Sequence, residues 1–199
     1  MRDIELTGVS KAFGDHAVLK DLSMRFPAGG ISCVTAPSGA GKTTLLRLLC
    51  GLETPDAGEI RGTEGARFGV VFQEDRLLPW GSAAGNIRFA NRRLSKAETG
   101  EAMRAVGLSE PDQPASELSG GMARRVVLLR ALLAENDVLL LDEPFKGLDE
   151  ETRTQVIRCL LSRRNGRTVI LVTHDPGEAA MMGAEIFPLP LPGEAGHGG

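Results

Sequence analysis

Residues 35–51, TAPSGAGKTTLLRLLCG, place a lysine and a threonine directly after a glycine-rich turn. The apolar run ISCVTA precedes the turn, and a helix-like pattern follows it. Backbone N–H groups in such a strand, turn and helix bind phosphates, while the lysine reaches the β- and γ-phosphates of a nucleotide. The threonine hydroxyl is a ligand that Mg²⁺ accepts. We therefore predict a nucleotide-binding loop made of Ser38, Gly39, Ala40, Gly41, Lys42, Thr43 and Thr44.

Ala36 departs from the pattern Gly-x-x-x-x-Gly-Lys-Ser/Thr, because it occupies the position of the first glycine. The next residue is Pro37, and a residue before proline is pushed toward the β region, where φ is negative and alanine is not strained. We expect the loss of this glycine to cost little. A chance glycine-rich turn is the alternative, but the coincidence of strand, glycines, lysine, threonine and helix argues against it.

The segment VLLLDE delivers Asp142 and Glu143 to the end of an apolar run. One carboxylate can hold Mg²⁺, directly or through water, and the second can orient and deprotonate an attacking water. A strand that ends in two acidic residues is by itself more typical of a surface turn. Together with the phosphate-binding loop, it predicts a hydrolytic site in which Asp142 binds the metal and Glu143 is the base.

A second anion-binding helix start is predicted at 118-LSGGMARRVVLLRALLAEND-137. Ser119 is a good N-cap, and Gly120 and Gly121 leave the first amides uncovered. The alternative is a capped amphipathic helix, which does not explain two glycines in the first turn.

These motifs together resemble the ATP-binding subunit of ABC transporters. LSGGM matches the family signature, and further family elements follow in order: Phe13 in KAFGDHAVL, Gln73 in VFQED, Asp149 in FKGLDE and His174 in LVTHD. The resemblance covers roughly residues 3–188. It implies ATP and Mg²⁺ as cofactors.

The resemblance also implies roles for single residues. Phe13 would stack on adenine, and Gln73 would reach Mg²⁺ or the attacking water. His174 would hydrogen-bond the γ-phosphate and Glu143. Catalysis would then depend on Glu143, His174 and Gln73, and the metal ligands would be Thr43, Gln73 and Asp142.

The partners implied by the resemblance are several. A second ATP-binding subunit would pack head to tail, so that Ser119, Gly120 and Gly121 of one chain complete the phosphate site of the other. Integral membrane permease subunits would receive the motion, and an extracytoplasmic solute-binding protein would deliver the solute to an importer. The chain would then lie in the cytoplasm, peripheral on the inner face of the cell membrane.

One stretch bears on the type of transporter, and one residue departs from the family pattern. EDRLLPW, after Gln73, resembles the same stretch in ATPases of nitrate-, sulfonate- or taurine-type importers, and would place Leu77, Leu78 and Trp80 where the membrane partner docks. At least one of the three is expected to pack inside instead. Arg124 stands where the family usually has glutamine, and the sequence offers no account of it.

Two other functions compete with transport. A soluble ABC-type ATPase acting on nucleic acid or translation usually carries two cassettes or long insertions, and this chain has one compact cassette. A small-molecule kinase with a phosphate-binding loop would not need LSGGM. Genes for a multi-span membrane protein beside this one would favour transport.

The elements that must position these residues follow from hydrophobic patterning. Continuous apolar runs at 31–36, 68–73, 138–143 and 168–174 predict buried parallel strands, and helical patterns lie at 42–50, 95–106, 120–134 and 150–164. Alternation in the first 26 residues predicts half-buried antiparallel strands. The fold class is therefore α/β: a P-loop NTPase with a mostly parallel core sheet, an N-terminal antiparallel β subdomain and an α-helical insertion at about 76–117.

Length and composition limit the number of domains and the classes of partner that the chain can have. The chain has 199 residues, which suits one domain, predicted at 1–188, with a disordered tail at 189–199. The net charge of −3 and the scattered arginines do not support a nucleic-acid partner. Its apolar runs fall short of a membrane span, and its three cysteines suit reduced, buried thiols.

Overall fold

The computed structural model describes residues 2–190, which form two sheets and six α-helices. The strands are β1 (Ile4–Phe13), β2 (His16–Phe26), β3 (Ile31–Thr35), β4 (Ala57–Arg61), β5 (Phe68–Val71), β6 (Val138–Asp142), β7 (Thr168–Val172) and β8 (Glu185–Pro188). The helices are α1 (Lys42–Leu49), α2 (Ala83–Ala90), α3 (Lys96–Ala105), α4 (Gly120–Leu133), α5 (Glu150–Arg163) and α6 (Pro176–Met182), with a 3-10 turn at Ala115–Glu117. No helix within the described range is long and apolar enough to span a membrane.

The larger sheet is parallel, in the order β5-β6-β7-β3-β8. Every residue of β6 and β7 is buried, as expected of strands covered by helices on both faces. Asp142 lies opposite Val172, and Val34 also lies opposite Val172. The carboxyl ends of β3, β6 and β7 therefore meet at one edge, which confirms the predicted parallel core.

The smaller sheet is antiparallel, in the order β2-β1-β4. The turn at Gly14 and Asp15 joins β1 to β2, and Ile4 pairs with Phe26. The inner faces of these strands share one apolar cluster with α1 and with alternate residues of the parallel sheet. This contact holds the predicted N-terminal β subdomain against the helix that follows the phosphate-binding loop.

Two strands escaped the sequence patterns. β4 pairs with β1, with Ile60 opposite Leu6, although only one of its residues is even half-buried. β8 adds to β3, with Phe187 opposite Val34. Leu189 follows it, is 4% exposed, and donates its N–H to the carbonyl of Thr35 at 2.9 Å. The predicted tail therefore begins inside the fold, and its residues 191–199 lie outside the described part.

The insertion after β5 contains α2, α3 and the 3-10 turn, of which α2 was not predicted as a separate helix. Ser82 caps α2, and Ser95 with Glu98 forms a capping box on α3. Ile87 and Met103 are buried in the same apolar cluster as α4, α5 and the near face of the parallel sheet. The insertion thus packs on the helix that starts with LSGGM.

Candidate functional site

The phosphate-binding loop lies between β3 and α1. Gly41 is the N-cap of α1 and has a left-handed φ of 88°. A Cβ atom at Gly41 would lie 2.7 Å from Cγ1 of Val18, so the close approach of β2 requires glycine there. Within the described chain no side chain caps this helix start, and its amides are available to an anion. Ser38 and Gly39 are exposed, whereas Ala40 is buried.

Lys42 spans its own loop in this structure. Its Nζ donates to the carbonyls of Ala36 at 2.7 Å and Pro37 at 2.8 Å. An ammonium group has three donors, so a third remains for a phosphate oxygen.

The backbone of Ala36 is not in the left-handed region. Three described non-glycine residues have positive φ, at Asp21, Glu143 and Asn165, and Ala36 is not among them. The expectation of an unstrained Ala36 is therefore confirmed.

Thr43 and Asp142 meet although they lie 99 positions apart, because β6 ends beside the start of α1. The Thr43 hydroxyl donates to Oδ2 of Asp142 at 2.5 Å. Asp142 is 3% exposed, and burial raises its pKa, while the bond from Thr43 lowers it. Hydroxyl and carboxylate oxygens side by side are hard ligands that fit Mg²⁺.

Gln73 and Thr43 line one cleft of about 350 Å³, together with Arg47, Leu52, Glu53, Phe72, Glu74 and Arg76. Gln73 is exposed just beyond the end of β5. The described residues contain no group of three or more His, Cys, Asp or Glu side chains able to hold a metal. A site built from Thr43, Asp142 and Gln73 would therefore depend on phosphate oxygens to complete Mg²⁺ coordination.

Glu143 and His174 form a hydrogen-bonded pair just beyond the ends of β6 and β7. His174 Nδ1 lies 2.9 Å from both carboxylate oxygens of Glu143. This hydrogen bond raises the pKa of His174 above its ordinary value of 6.5, and the negative charge of Glu143 raises it further by a smaller amount. Glu143 has a φ of 46°, and its N–H donates to the carbonyl of Val172 at 2.9 Å. A left-handed backbone is costly for a non-glycine residue. Here the hydrogen bond to Val172 of β7 holds Glu143 in that conformation.

A second polar network lies behind His174, and sequence reasoning missed it. Thr173 donates to Oε2 of Glu178 at 2.5 Å, and Arg153 lies 3.1 Å from Asp175 and 3.8 Å from Glu178. Burial raises the pKa of Glu178. Asp149 caps α5, which carries Arg153. The only available signal was an acidic first turn after the histidine, which is common at helix starts.

Phe13 ends β1 and is 46% exposed. Nζ of Lys11 lies 5.4 Å from its ring centroid. Its hairpin continues into Val18, which touches the Gly41 position. The structure therefore puts an exposed aromatic ring on the hairpin that covers the phosphate-binding loop.

Ser119, Gly120 and Gly121 begin α4, where the Ser119 side chain accepts from the N–H of Met122 at 3.3 Å. Ser119 and Gly120 are exposed. A side chain at Gly121 would meet Leu148 and Gly147. Among the hydrogen bonds of residues 2–190, none joins this helix start to the phosphate-binding loop. The chain brings Asp142, Glu143 and His174 to one edge but does not bring the LSGGM serine and glycines to its own loop.

The three apolar residues after Gln73 divide as expected. Leu77 packs against the larger apolar cluster, and Leu78 is half-buried. Trp80 is 82% exposed. The expectation that at least one packs inside is confirmed by Leu77.

Comparisons with known proteins agree with this geometry. The ABC transporter family model matches residues 19–146. An aliphatic sulfonates import ATP-binding protein SsuB 2 of Pseudomonas aeruginosa is 41% identical over 92% of this chain and 70% of its own length. SsuB of Escherichia coli is 42% identical over 92% of this chain and 75% of its own length.

Solved structures give the same result. The dimeric structure of MJ0796, a bacterial ABC transporter cassette, superimposes with a TM-score of 0.81 at 27% identity, over 94% of each chain. A dimeric post-hydrolysis state of that cassette with ADP and Pi has a TM-score of 0.80 at 28% identity, over 94% of each chain. Given the matched fold, motifs and relatives, the chain belongs to the ABC transporter family, as an ATP-binding ATPase subunit.

Proposed function

We propose that Glu143 is the general base of ATP hydrolysis and that His174 holds it in place. The observation that carries this proposal is the two-oxygen contact of Glu143 with Nδ1 of His174 at the edge where Asp142 and Thr43 meet. A carboxylate so fixed can accept a proton from a water aligned with the γ-phosphate. The exposed imidazole edge of His174 can donate to that phosphate when protonated.

The other predicted residues bind and orient the nucleotide in this proposal. Ser38, Gly39, Ala40, Gly41, Lys42, Thr43 and Thr44 hold its phosphates, and Phe13 stacks on its base. Thr43, Gln73 and Asp142 hold Mg²⁺, which when bound neutralises charge on the phosphate oxygens. Residues 1–188 act as one domain, since the insertion shares the apolar cluster of the parallel sheet.

We further propose that the working unit is a head-to-tail homodimer. Ser119 and Gly120 are exposed at a helix start with its own capping serine, away from the bonds of the phosphate-binding loop. A helix start of this kind binds anions. The phosphates of ATP bound by the second subunit would supply that anion. The MJ0796 cassette, alike in fold and dimeric in its solved structure, supports a dimer as the working unit.

The transport role we propose is import of an organic anion of the aliphatic sulfonate class. Relatives that are 41% and 42% identical to this chain over the aligned residues carry that name. Membrane permease subunits would dock near the exposed Trp80 and the cleft that Gln73 lines. The chain would then bind peripherally at the cytoplasmic face of the membrane, with an extracytoplasmic solute-binding protein delivering the solute.

The test is reconstitution of the chain in liposomes with a permease that co-purifies with it and a candidate solute-binding protein. Alkanesulfonate should stimulate ATP hydrolysis and accumulate inside, and Glu143→Gln should abolish turnover while retaining ATP binding. Stimulation by nitrate but by no alkanesulfonate would overturn the solute class. Wild-type turnover in Glu143→Gln would remove Glu143 as the base, and absence of any co-purifying permease would favour a soluble ABC-type ATPase.

A further inference from the structure

Arg124 is a buried cation whose two terminal nitrogens are hydrogen-bonded and whose Nε faces a carboxylate. It lies in the second turn of α4 and is 5% exposed. Its Nη1 donates to the carbonyl of Phe72 at 2.9 Å, and its Nη2 donates to the carbonyl of Gln73 at 2.5 Å. Its Nε lies 3.1 Å from Oδ1 of Asp75, as an ion pair. Burying a guanidinium is costly unless it is paired and bonded in this way.

All three contacts hold one short segment, residues 72–75. The ladder between β5 and β6 ends with Val71 opposite Leu141, so the carbonyls of Phe72 and Gln73 lie beyond the sheet. Arginine presents its donors in a rigid fork that suits several acceptors at once. A glutamine at this position would offer one neutral amide with two N–H donors. It could not hold both carbonyls and also pair with Asp75.

α4 therefore connects two parts of the site. Ser119 starts the helix that carries Arg124, and Arg124 grips the backbone of Gln73. We propose that Arg124 is a positioning residue that ties Gln73 of one nucleotide site to the LSGGM helix start that serves the site of the partner. A movement of Gln73 on binding or release of the γ-phosphate would then move α4 as a unit. This inference rests on the proposed composite site and assigns a role that local motif matching does not supply.

A double-mutant cycle tests this link in the intact dimer. We expect Arg124→Gln to lower kcat about tenfold with less than about threefold change in KM, as for loss of an interaction that matters in the transition state. Gln73→Ala should lower kcat as well. The double variant should fall little below the lower of the two single variants, because both changes break the same connection. Arg124→Lys, which keeps the charge near Asp75 but loses the fork, should recover only part of the rate.

Arg167→Gln is the matched control. Arg167 also donates to backbone carbonyls, those of Leu132, Arg163 and Arg164, but it lies outside the site. Its variant should lower the stability of the protein, leave kcat near the wild-type value, and combine with Gln73→Ala in a simple multiplicative way. If Arg124→Gln does not fold, Asp75→Asn, which removes the charge that pairs with Arg124, replaces it in the double-mutant cycle with Gln73→Ala.

Multiplicative effects of Arg124→Gln and Gln73→Ala on kcat would overturn the inference. The control variant Glu143→Gln separates this failure from that of the proposed function. If Glu143→Gln abolishes turnover while the cycle is multiplicative, only the role of Arg124 is wrong. If Glu143→Gln turns over normally, the catalytic assignment itself is wrong.

Discussion

At the scale of single residues, the site depends on groups whose neighbours alter their chemistry. Glu143 carries a left-handed backbone and shares its carboxylate with His174. Asp142 is buried, and burial raises its pKa, while the hydroxyl of Thr43 stabilises its charged form. The buried Asp142 carboxylate would suit the proposed metal binding, and the exposed His174 imidazole beside Glu143 would suit the proposed proton transfer.

A pH titration tests the pairing of Glu143 with His174. The raised pKa of His174 means that the ion pair stabilises the folded state fully below about pH 6.5, the unfolded value, and is lost as pH rises through the raised folded value. NMR titration should therefore give a His174 pKa above 6.5, and Glu143→Gln should lower it. Glu110→Gln, a change in an exposed loop, should not. An unshifted His174 in the wild type would contradict the pairing.

At the scale of elements, the start of α1 depends on the hairpin of β1 and β2. Gly41 must adopt a φ of 88° and leave room for Val18. The antiparallel sheet therefore also shapes the phosphate-binding loop. The parallel strand β6 ends at the acidic residues Asp142 and Glu143. The hairpin of β1 and β2 packs against the start of α1, whose Thr43 contacts Asp142.

Replacing Gly41 with alanine separates steric contact from backbone strain. Gly41→Ala should lower the free energy of unfolding by about 1–3 kcal/mol beyond the cost of Gly39→Ala, because only the first Cβ meets Val18 and Leu19. Gly39 has a φ of 80° with open space around it, so it reports the strain alone. Urea denaturation of both variants measures the difference. Equal losses would mean that β2 does not constrain the loop.

At the scale of the whole molecule, one chain carries two helix starts that we expect to bind anions. The first belongs to α1, and the second is the exposed start of α4, which is tied through Arg124 to the segment of Gln73. A pair of chains arranged head to tail would use both. The exposed Trp80 and the cleft beside Gln73 then lie next to the segment that Arg124 holds, so a docked permease would act on the same connection.

A serine-to-arginine change tests the dimer. In the Glu143→Gln background, ATP should produce a stable dimer in analytical ultracentrifugation. Adding Ser119→Arg should leave ATP binding by the monomer intact and abolish that dimer, because a bulky cation would occupy the surface that receives the partner. Ser109→Arg, in an exposed loop, is the matched control and should still dimerise. Persistence of the dimer in Ser119→Arg would refute the composite site.

Much of the fold and many of the site residues were predictable, because short stretches of sequence encode them. Buried strands appear as short apolar runs, helices as amphipathic patterns, and phosphate-binding turns as glycines with a lysine. The helix bounds agreed closely: 42–50 was predicted for α1 and Lys42–Leu49 observed. β4 and β8 escaped because edge strands bury little of their surface and show no apolar run.

The sequence by itself determined the residue types of the site, their order and the class of fold that carries them. The family resemblance also implied that His174 bonds Glu143, and the structure confirms this contact at 2.9 Å. The tertiary structure alone showed that Thr43 donates to Asp142 across 99 positions and that Arg124 holds residues 72–75. Such contacts depend on the order of strands in the parallel sheet, which local patterns do not encode. Arg124 is the clearest case, since an unexplained substitution in the sequence becomes, in the folded chain, a cation that holds two carbonyls beyond the end of a strand.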